Sequence, residues 1–291
     1  MGWKTLTIIG IWLLLIARSV VAQDLGPHFL KIRDGIYVYG RDDIPGRDPT
    51  SNCGIIMTQE GVVLIDSGPN PPDSLIILAA VTHNDHTTGN FVFSPPAVVI
   101  AAAGATQGIK EYYSAERNRK LMAQSNEMRD AFRDFRLVTP HIEFADRLVL
   151  NMGDRTLELL QLNRIHSDAD TAIWLPKERV LFSAATAAVK RFAFFRPFVT
   201  IENVKDALKK LKVLNPDVVV PAHGAPGTVQ LLTETETFYN LLLDRVGKMI
   251  TEGKALDEIK ASLRLPEYQS WSGGKERLDT NIEAAYRAIQ K

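Results

Sequence analysis

The sequence predicts an α/β fold in which strands and helices form separate layers. Short apolar runs of strand length alternate with helical segments in both halves of the chain. The chain has 291 residues, of which 45% are hydrophobic and 23% charged, and this composition provides enough apolar material for one sizeable core. We predict a single domain over residues 23–291 that ends in helices from residue 232 onwards.

Residues 1–22 have the pattern of a secretory signal peptide. Lys4 precedes an apolar segment at residues 6–17, and residues 20–22 offer a cleavage site. A transmembrane anchor is the alternative, but it needs about 20 apolar residues, and Arg18 interrupts this segment. We therefore expect an exported protein, periplasmic or secreted, that has no membrane association after cleavage.

The net charge limits the classes of binding partner that we expect, and the cysteine content indicates the role of Cys53. The formal net charge is zero, and cleavage would remove Lys4 and Arg18 but no acidic residue. Nothing in this balance indicates binding to nucleic acid or to an anionic membrane, so the expected partner is a small-molecule substrate. Cys53 is the single cysteine; it lies in an apolar run, which favours a buried packing residue over a nucleophile.

The first half of the chain is dominated by predicted strands. They cover residues 35–39, 53–58 and 62–65, and the last two are joined by a hairpin turn. Asp66 follows the third strand, where open α/β sheets carry chemistry; a simple turn former is the alternative. The apolar run at 75–81 fits either a buried helix or a buried strand. A parallel strand there would need a crossover of about a dozen residues, so we expect a helix at 73–81.

The second half alternates strands with helices. The predicted elements are a strand at 97–103, a helical region at 104–135, a hairpin at 147–162, strands at 171–175, 180–183 and 217–220, and helices at 204–214, 256–263 and 281–289. Thr233-x-x-Glu236 matches a capping box and predicts the start of a further helix with Phe238, Leu242 and Val246 on one face.

Potential metal ligands follow three separate strand-like runs. His83, Asp85 and His86 lie in V-T-H-N-D-H-T-T-G-N at 81–90, while His166 and His223 follow later strands. Imidazole nitrogen and carboxylate oxygen are ligands that zinc accepts. One H-x-D-H on its own also fits a polar surface loop. Three strand ends that each carry a histidine predict a shared metal site.

The order of these motifs resembles that of the metallo-β-lactamase superfamily. The motifs are Asp66 after a strand, H-x-D-H before T-T-G-N, H-S-D-A-D-T at 166–171, W-L-P-K-E-R-V-L-F at 174–182 and P-A-H-G at 221–224. The resemblance spans residues 32–250. It implies an αβ/βα four-layer sandwich with zinc at the edge between the two sheets.

The resemblance also implies roles for individual residues. It gives five metal ligands in two groups: His83 and His166 for a first zinc ion, and Asp85, His86 and His223 for a second. Asp66 would orient the ligands through hydrogen bonds. Asp170 would hold the loop after His166 without touching metal.

The chain departs from the pattern of this superfamily in three places. Val81 occupies the position of the first histidine of H-x-H-x-D-H. Ala184 and Ala185 stand where many members have Gly-Asp, whose carboxylate bridges two metal ions. The segment between Asp66 and His83 is too short for the helix and the strand that members place there, as though one of the two around residues 67–82 were missing.

A catalytic zinc usually has three protein ligands and one open position. Asp85, His86 and His223 meet that count, whereas His83 and His166 do not. We therefore expect one zinc ion, with two as the alternative.

The expected function is zinc-dependent hydrolysis of a β-lactam, lactone or ester-like substrate, in which activated water attacks a carbonyl. Asp85 would be the catalytic residue that orients the water or moves a proton. The lost bridging carboxylate argues against the phosphodiesterase and glyoxalase-like branches. Lys190 and Arg191 fit either a substrate carboxylate or solvent. The rival hypothesis is a catalytically impaired, metal-binding remnant of the same fold.

Overall fold

The computed structural model describes residues 29–40, 51–67, 76–79, 81, 83–113, 115–123, 126–187 and 189–290. The predicted signal peptide at 1–22 lies outside these ranges. Among the residues that are described, no helix is both long enough and apolar enough to cross a membrane.

The first sheet has seven strands in sequence order. They are β1 (Phe29–Arg33), β2 (Ile36–Tyr39), β3 (Cys53–Thr58), β4 (Gly61–Ile65), β5 (Ile76–Ala79), β6 (Val98–Ala102) and β7 (Ile142–Phe144). The pairs from β1 to β4 are antiparallel, and those from β4 to β7 are parallel. The carboxyl ends of the parallel strands therefore lie at one edge, where α/β sheets place functional loops.

The second sheet has five strands in the order β12-β11-β10-β9-β8. They are β8 (Arg147–Met152), β9 (Arg155–Gln161), β10 (Thr171–Leu175), β11 (Val180–Phe182) and β12 (Val218–Val220). All neighbours are antiparallel except β11 and β12, which are parallel.

Helices connect and cover the sheets. They are α1 (Asn84–Thr87), α2 (Asn90–Phe93), α3 (Ala105–Tyr112), α4 (Ala115–Met122), α5 (Asn126–Ala131), α6 (Ile201–Lys212), α7 (Gln230–Thr251), α8 (Leu256–Ser262) and α9 (Gly274–Ile289). The Thr200 hydroxyl caps α6 by accepting a hydrogen bond from the Asn203 N–H, at 3.1 Å.

The side chains of β4 point alternately to the two faces of the first sheet, and they show how the layers form. Val63 and Ile65 belong to the main core together with apolar residues of the second sheet. Leu64 points to the opposite face, where it packs with Phe93 and Val99. The first sheet is therefore buried on both faces. The αβ/βα four-layer sandwich expected from the sequence is confirmed.

The two sheets approach closely where β3 faces β11. A Cβ atom added to Gly54 would lie 2.5 Å from Cε1 of Phe182, so only a glycine fits at this point. The neighbouring Cys53 is buried and unpaired, and its burial raises the pKa of the thiol. These surroundings fit the packing role predicted for it.

The helix predicted at 73–81 is wrong at the residues that the structure describes. Residues 76–79 form β5, which pairs in parallel with β4 on one side and β6 on the other. The apolar run was ambiguous, and the two neighbouring strand edges favour the extended form because they satisfy its backbone groups. The strand is therefore present. Residues 68–75 lie outside the described ranges.

The predicted starts of two C-terminal helices are also wrong. α7 begins at Gln230, so Thr233 lies inside it and donates its hydroxyl to the Val229 carbonyl instead of capping. Glu236 pairs with Lys212 of α6, at 2.6 Å. α9 begins at Gly274 rather than at 281.

Candidate metal centre

The H-x-D-H motif forms the single helical turn α1 at the edge of the first sheet. The N–H groups of His86 and Thr87 both donate to the His83 carbonyl, at 3.0 and 3.1 Å. The Thr87 hydroxyl donates to the same oxygen at 3.0 Å. In a strand, successive side chains would point to opposite faces. In this turn, His83, Asp85 and His86 can all reach the same region at the edge of the sheet.

Asp85, His86 and His223 come together as a group of potential metal ligands. Their ligand atoms all lie within 4.8 Å of one another, and no other trio of this kind occurs among the described residues. Oδ2 of Asp85 is 3.5 Å from Nε2 of both histidines. The Asp85 side chain is 46% exposed and that of His86 only 1%. The group therefore has one side open to solvent and one closed.

His86 is fixed from behind by the residues that follow β4. Its Nδ1 lies 2.6 Å from Oδ2 of Asp66, and both side chains are buried. The N–H and hydroxyl of Ser67 donate to the His86 carbonyl, at 2.9 and 3.1 Å. Nε2 of His86 is buried and has no hydrogen-bond partner among the described residues. The ring is thus oriented with Nε2 on the side of Asp85, the position in which it could bind a metal ion.

The pKa values in this group reflect its charges in the metal-free state. Complete burial lowers the pKa of His86, but Asp85 and Asp66 outweigh it and raise the value to about 9. Burial raises the pKa of Asp85, but His86 and His223 outweigh it and hold the value below the ordinary range. Asp85 is therefore ionised at neutral pH, as a zinc ligand must be.

The loop that carries His223 is clamped by Asn52. The Asn52 side-chain amide donates to the carbonyls of Pro221 and Gly224, at 2.9 and 2.8 Å. Its backbone N–H donates to the Ala222 carbonyl at 2.8 Å. Asn52 is 4% exposed, so these bonds are shielded from water and hold the histidine in place.

Ser51 makes the matching contact to the other ligand loop. Its hydroxyl donates to the Asp85 carbonyl at 2.5 Å. Ser51 and Asn52 together join loops that are far apart in sequence. Neither residue could be recognised from sequence, because two polar residues before a strand carry no local signal of such a role.

Asp170 organises the loop that carries His166. Its Oδ2 accepts hydrogen bonds from the N–H groups of Ile165, His166 and Ser167, at 2.9, 2.8 and 2.9 Å. Its Oδ1 accepts from the Ser167 hydroxyl at 2.7 Å. Complete burial raises the pKa of Asp170 to about 6, although these donors act in the opposite direction. The geometry is that of a loop-holding residue.

His83 and His166 form a second pair. Their ring centroids are 4.6 Å apart. Burial and then His166 lower the pKa of His83 to about 2, and burial and then Arg196 lower that of His166 to about 3. Both rings are therefore neutral at pH 7, the form that binds metal. Nε2 of His83 is buried without a hydrogen-bond partner.

This pair lacks a third protein ligand at the position that the resemblance assigns to one. Val81 is fully buried and belongs to the main core. Ala185 lies in the 3-10 turn after β11, and the carbonyl of its neighbour Ala184 accepts from the Ala222 N–H at 2.9 Å. This turn therefore contacts the His223 loop through the backbone of Ala184, and Ala185 has no carboxylate to bridge two metal ions.

An arginine that the sequence analysis did not single out lies beside this pair. Nη1 of Arg196 donates to the Tyr112 hydroxyl at 3.0 Å, and its guanidinium carbon is 4.5 Å from the Tyr112 ring centroid. The Tyr112 ring in turn is 4.6 Å from that of His83. Nothing in the sequence pattern distinguishes Arg196 from other loop arginines.

The comparisons with known proteins agree with this fold. No protein-family model matches the chain. A type 2 metallo-β-lactamase of Bacteroides fragilis is 25% identical over 139 residues, which cover 44% of this chain and 53% of that protein. The chain therefore spans about half the length of this curated relative.

Solved structures resemble a larger part of the chain. The inverting sec-alkylsulfatase Pisa1 of a Pseudomonas species has a TM-score of 0.65 at 18% identity, over 89% of this chain and 50% of that one. A metallo-β-lactamase of Pontibacter korlensis has a TM-score of 0.53 at 19% identity, over 71% and 95%. The chain thus shares the fold of these solved structures, and part of its sequence is similar to a type 2 metallo-β-lactamase.

Proposed function

We propose that this protein is a zinc-dependent hydrolase with one catalytic zinc ion held by Asp85, His86 and His223. The observation that carries the proposal is the convergence of their ligand atoms within 4.8 Å. The buried, unpartnered Nε2 of His86 supports it, because a buried polar atom without a partner is costly unless something binds it. The donor set, two imidazoles and one carboxylate, suits a catalytic zinc.

A zinc ion bound there would lower the pKa of water and polarise the bond to be broken. The residues of the chain would hold the zinc ligands in place and orient the water. Asp66 holds the His86 ring through Nδ1, and Asn52 holds the His223 loop. Asp85 is accessible to solvent on one side. We assign it the role of orienting the water.

The proposed substrate class is a small molecule with a hydrolysable carbonyl: a β-lactam, a lactone or an ester. The match to a type 2 metallo-β-lactamase supports the β-lactam. The likeness to a sec-alkylsulfatase covers more of the chain, so secondary alkyl sulfates belong in the same substrate panel.

Metal analysis of the purified protein tests the site. We expect about one zinc per chain, and Asp85→Asn and His223→Ala should reduce that content strongly. His141→Ala is the matched control, since this exposed histidine lies outside the centre and accepts a hydrogen bond from the Val99 N–H. Zinc near zero would contradict the proposal, and zinc near two would contradict a single ion.

Activity assays separate the hydrolase from the remnant hypothesis. A chromogenic cephalosporin, a lactone, an aryl ester and a secondary alkyl sulfate would be tested with the zinc-loaded protein and after chelation. Hydrolysis that requires zinc supports the proposal. Full zinc content with no turnover of any substrate would favour the impaired, metal-binding remnant.

Export is part of the proposal and rests on the signal-peptide pattern at residues 1–22. Expression of the full chain in a Gram-negative host, followed by mass measurement of the periplasmic protein, tests it. A mature chain that begins near residue 23 is expected. A full-length chain in the cytoplasmic fraction would contradict export.

A further inference from the structure

We propose that Arg196, held by Tyr112, supplies the fixed positive charge of the His83–His166 half of the centre and takes the place of a second metal ion. The inference rests on the proposed single-zinc function. It accounts for two histidines beside the catalytic group that lack the third protein ligand a second ion would need.

The first support is the contact chain from the arginine to the histidines. The guanidinium lies against the Tyr112 ring, 4.5 Å from its centroid, and donates to its hydroxyl at 3.0 Å. The Tyr112 ring meets the edge of His83, whose ring meets that of His166, each at 4.6 Å between centroids. The arginine is thus fixed by two contacts with one ring that itself borders the histidine pair.

The second support is the unused hydrogen-bonding capacity of this half. Nε of Arg196 and Nε2 of His83 are both buried without hydrogen-bond partners in the part of the chain that is described. Such atoms are rare in folded proteins, and each needs an explanation. Arg196 is cationic at any physiological pH, so its charge cannot be removed by the histidines beside it.

The third support is that, among the described residues, no trio of potential metal ligands includes His83 or His166. Val81 is fully buried in the core at the position of the missing histidine, and Ala185 brings no carboxylate. Two imidazoles alone bind a divalent ion weakly, and a nearby permanent cation weakens that binding further by repulsion. A centre with one exchangeable ion and one fixed cation follows.

A purely structural role is the alternative for Arg196, because its stem and its contact with Tyr112 would also stabilise the loop before α6. Charge and packing can be separated by substitution. Arg196→Lys keeps the charge, whereas Arg196→Gln removes it and Arg196→Met keeps mainly the apolar stem. Arg164→Gln is the matched control, since Arg164 also stacks at 4.5 Å on a ring, that of Phe198.

The experiment is a calorimetric titration of Zn²⁺ into each protein that already holds one equivalent of zinc, with thermal unfolding as a check of folding. Arg196→Gln and Arg196→Met should bind the second Zn²⁺ about tenfold or more tightly than the unchanged protein. Arg196→Lys and Arg164→Gln should match the unchanged protein.

The outcomes are distinguishable. If Arg196→Gln and Arg196→Met bind the second ion no better than the unchanged protein, the inference is overturned while the proposed function stands. If Arg196→Lys gains as much as Arg196→Gln, the effect belongs to packing and the inference is again overturned. If the unchanged protein holds no first zinc, the proposed function fails and takes this inference with it.

Discussion

Nδ1 of His86 lies 2.6 Å from Oδ2 of Asp66, with both side chains almost fully removed from solvent. This contact joins the end of β4 to the turn α1 and orients the ring so that Nε2 lies on the side of Asp85. Asp66 has a positive φ of 56°, a conformation that few residues other than glycine, asparagine and aspartate adopt readily. The position therefore demands both a carboxylate and a tolerant backbone.

Asp66→Asn tests this orientation without straining the backbone, because asparagine also tolerates positive φ. We expect zinc affinity to fall about 10- to 100-fold, the usual effect of losing the partner of a metal-binding histidine. A competition titration with a zinc chelator measures it. Asp34→Asn is the control, since that side chain is 96% exposed. Equal zinc affinities for the two variants would show that Asp66 does not orient His86.

Asn52→Ala should release the loop of His223. The substitution leaves the Pro221 and Gly224 carbonyls without their donor, which costs about 1–3 kcal/mol for buried groups. We expect both a lower urea midpoint and weaker zinc binding. Asn151→Ala, which removes an exposed contact with Thr156, serves for comparison. Loss of stability with unchanged zinc affinity would limit Asn52 to a role in folding.

Gly54→Ala tests the close approach of the two sheets. The added methyl would meet the Phe182 ring at 2.5 Å, and overpacking of this kind costs about 1–3 kcal/mol of unfolding free energy. Gly247→Ala is the opposite case, because a Cβ atom added there inside α7 would lie 3.7 Å from Cδ1 of Ile289, an ordinary van der Waals contact, and should stabilise the helix by about 1 kcal/mol. Urea unfolding measures both.

A second substitution sharpens this test. Phe182→Leu reduces the ring that the new methyl would meet, so the double variant should recover part of the stability lost in Gly54→Ala. Strictly additive losses would show that the two side chains do not compete for the same space.

The stability of the metal-free protein should peak near pH 6.5, the ordinary histidine pKa. The pKa values of His83 and His166 are lowered, to about 2 and about 3. Their contribution to the free energy of unfolding is therefore full above about pH 6.5 and is lost as the pH falls. The pKa of His86 is raised to about 9, so its contribution is full below about pH 6.5 and is lost as the pH rises through 9.

Asp170 offsets only part of the loss of stability at acid pH. Its pKa is raised to about 6, so its contribution to the free energy of unfolding grows as the pH falls from 6 towards 3.9. This gain comes from one group, whereas the loss comes from two histidines. Urea midpoints at pH 5, 6.5 and 8.5 in the presence of a chelator check the expectation. A midpoint that rises steadily from pH 5 to 8.5 would contradict the assignment of His86.

Much of the fold could be predicted because its signals are local. The hairpin of β3 and β4, the hairpin of β8 and β9, and the strands β10 and β11 each have a clear apolar pattern and turn residues. The segment at 76–79 could not be assigned in the same way. Its apolar run fits a buried helix and a buried strand equally well, and only the edges of β4 and β6 decide between them.

The same distinction between local sequence signals and long-range contacts applies to the candidate metal centre. His83, Asp85, His86, His166 and His223 could be selected from sequence because metal-binding chemistry belongs to the residue type and to its place after a strand. Ser51, Asn52 and Arg196 could not. Their contacts are with residues far away in the chain, and their own sequence neighbourhoods are unremarkable.

The sequence by itself therefore indicated the resemblance to the metallo-β-lactamase superfamily, the layered class of the fold and the residues that could bind zinc, because those properties follow from residue type, order and periodicity. Only the tertiary structure decided that residues 76–79 complete the parallel sheet. It also decided that Asn52 clamps the His223 loop and that Arg196 stands by the incomplete histidine pair. The physical reason is that backbone pairing, buried hydrogen bonds and charge proximity depend on distances in space, which separation along the chain does not specify.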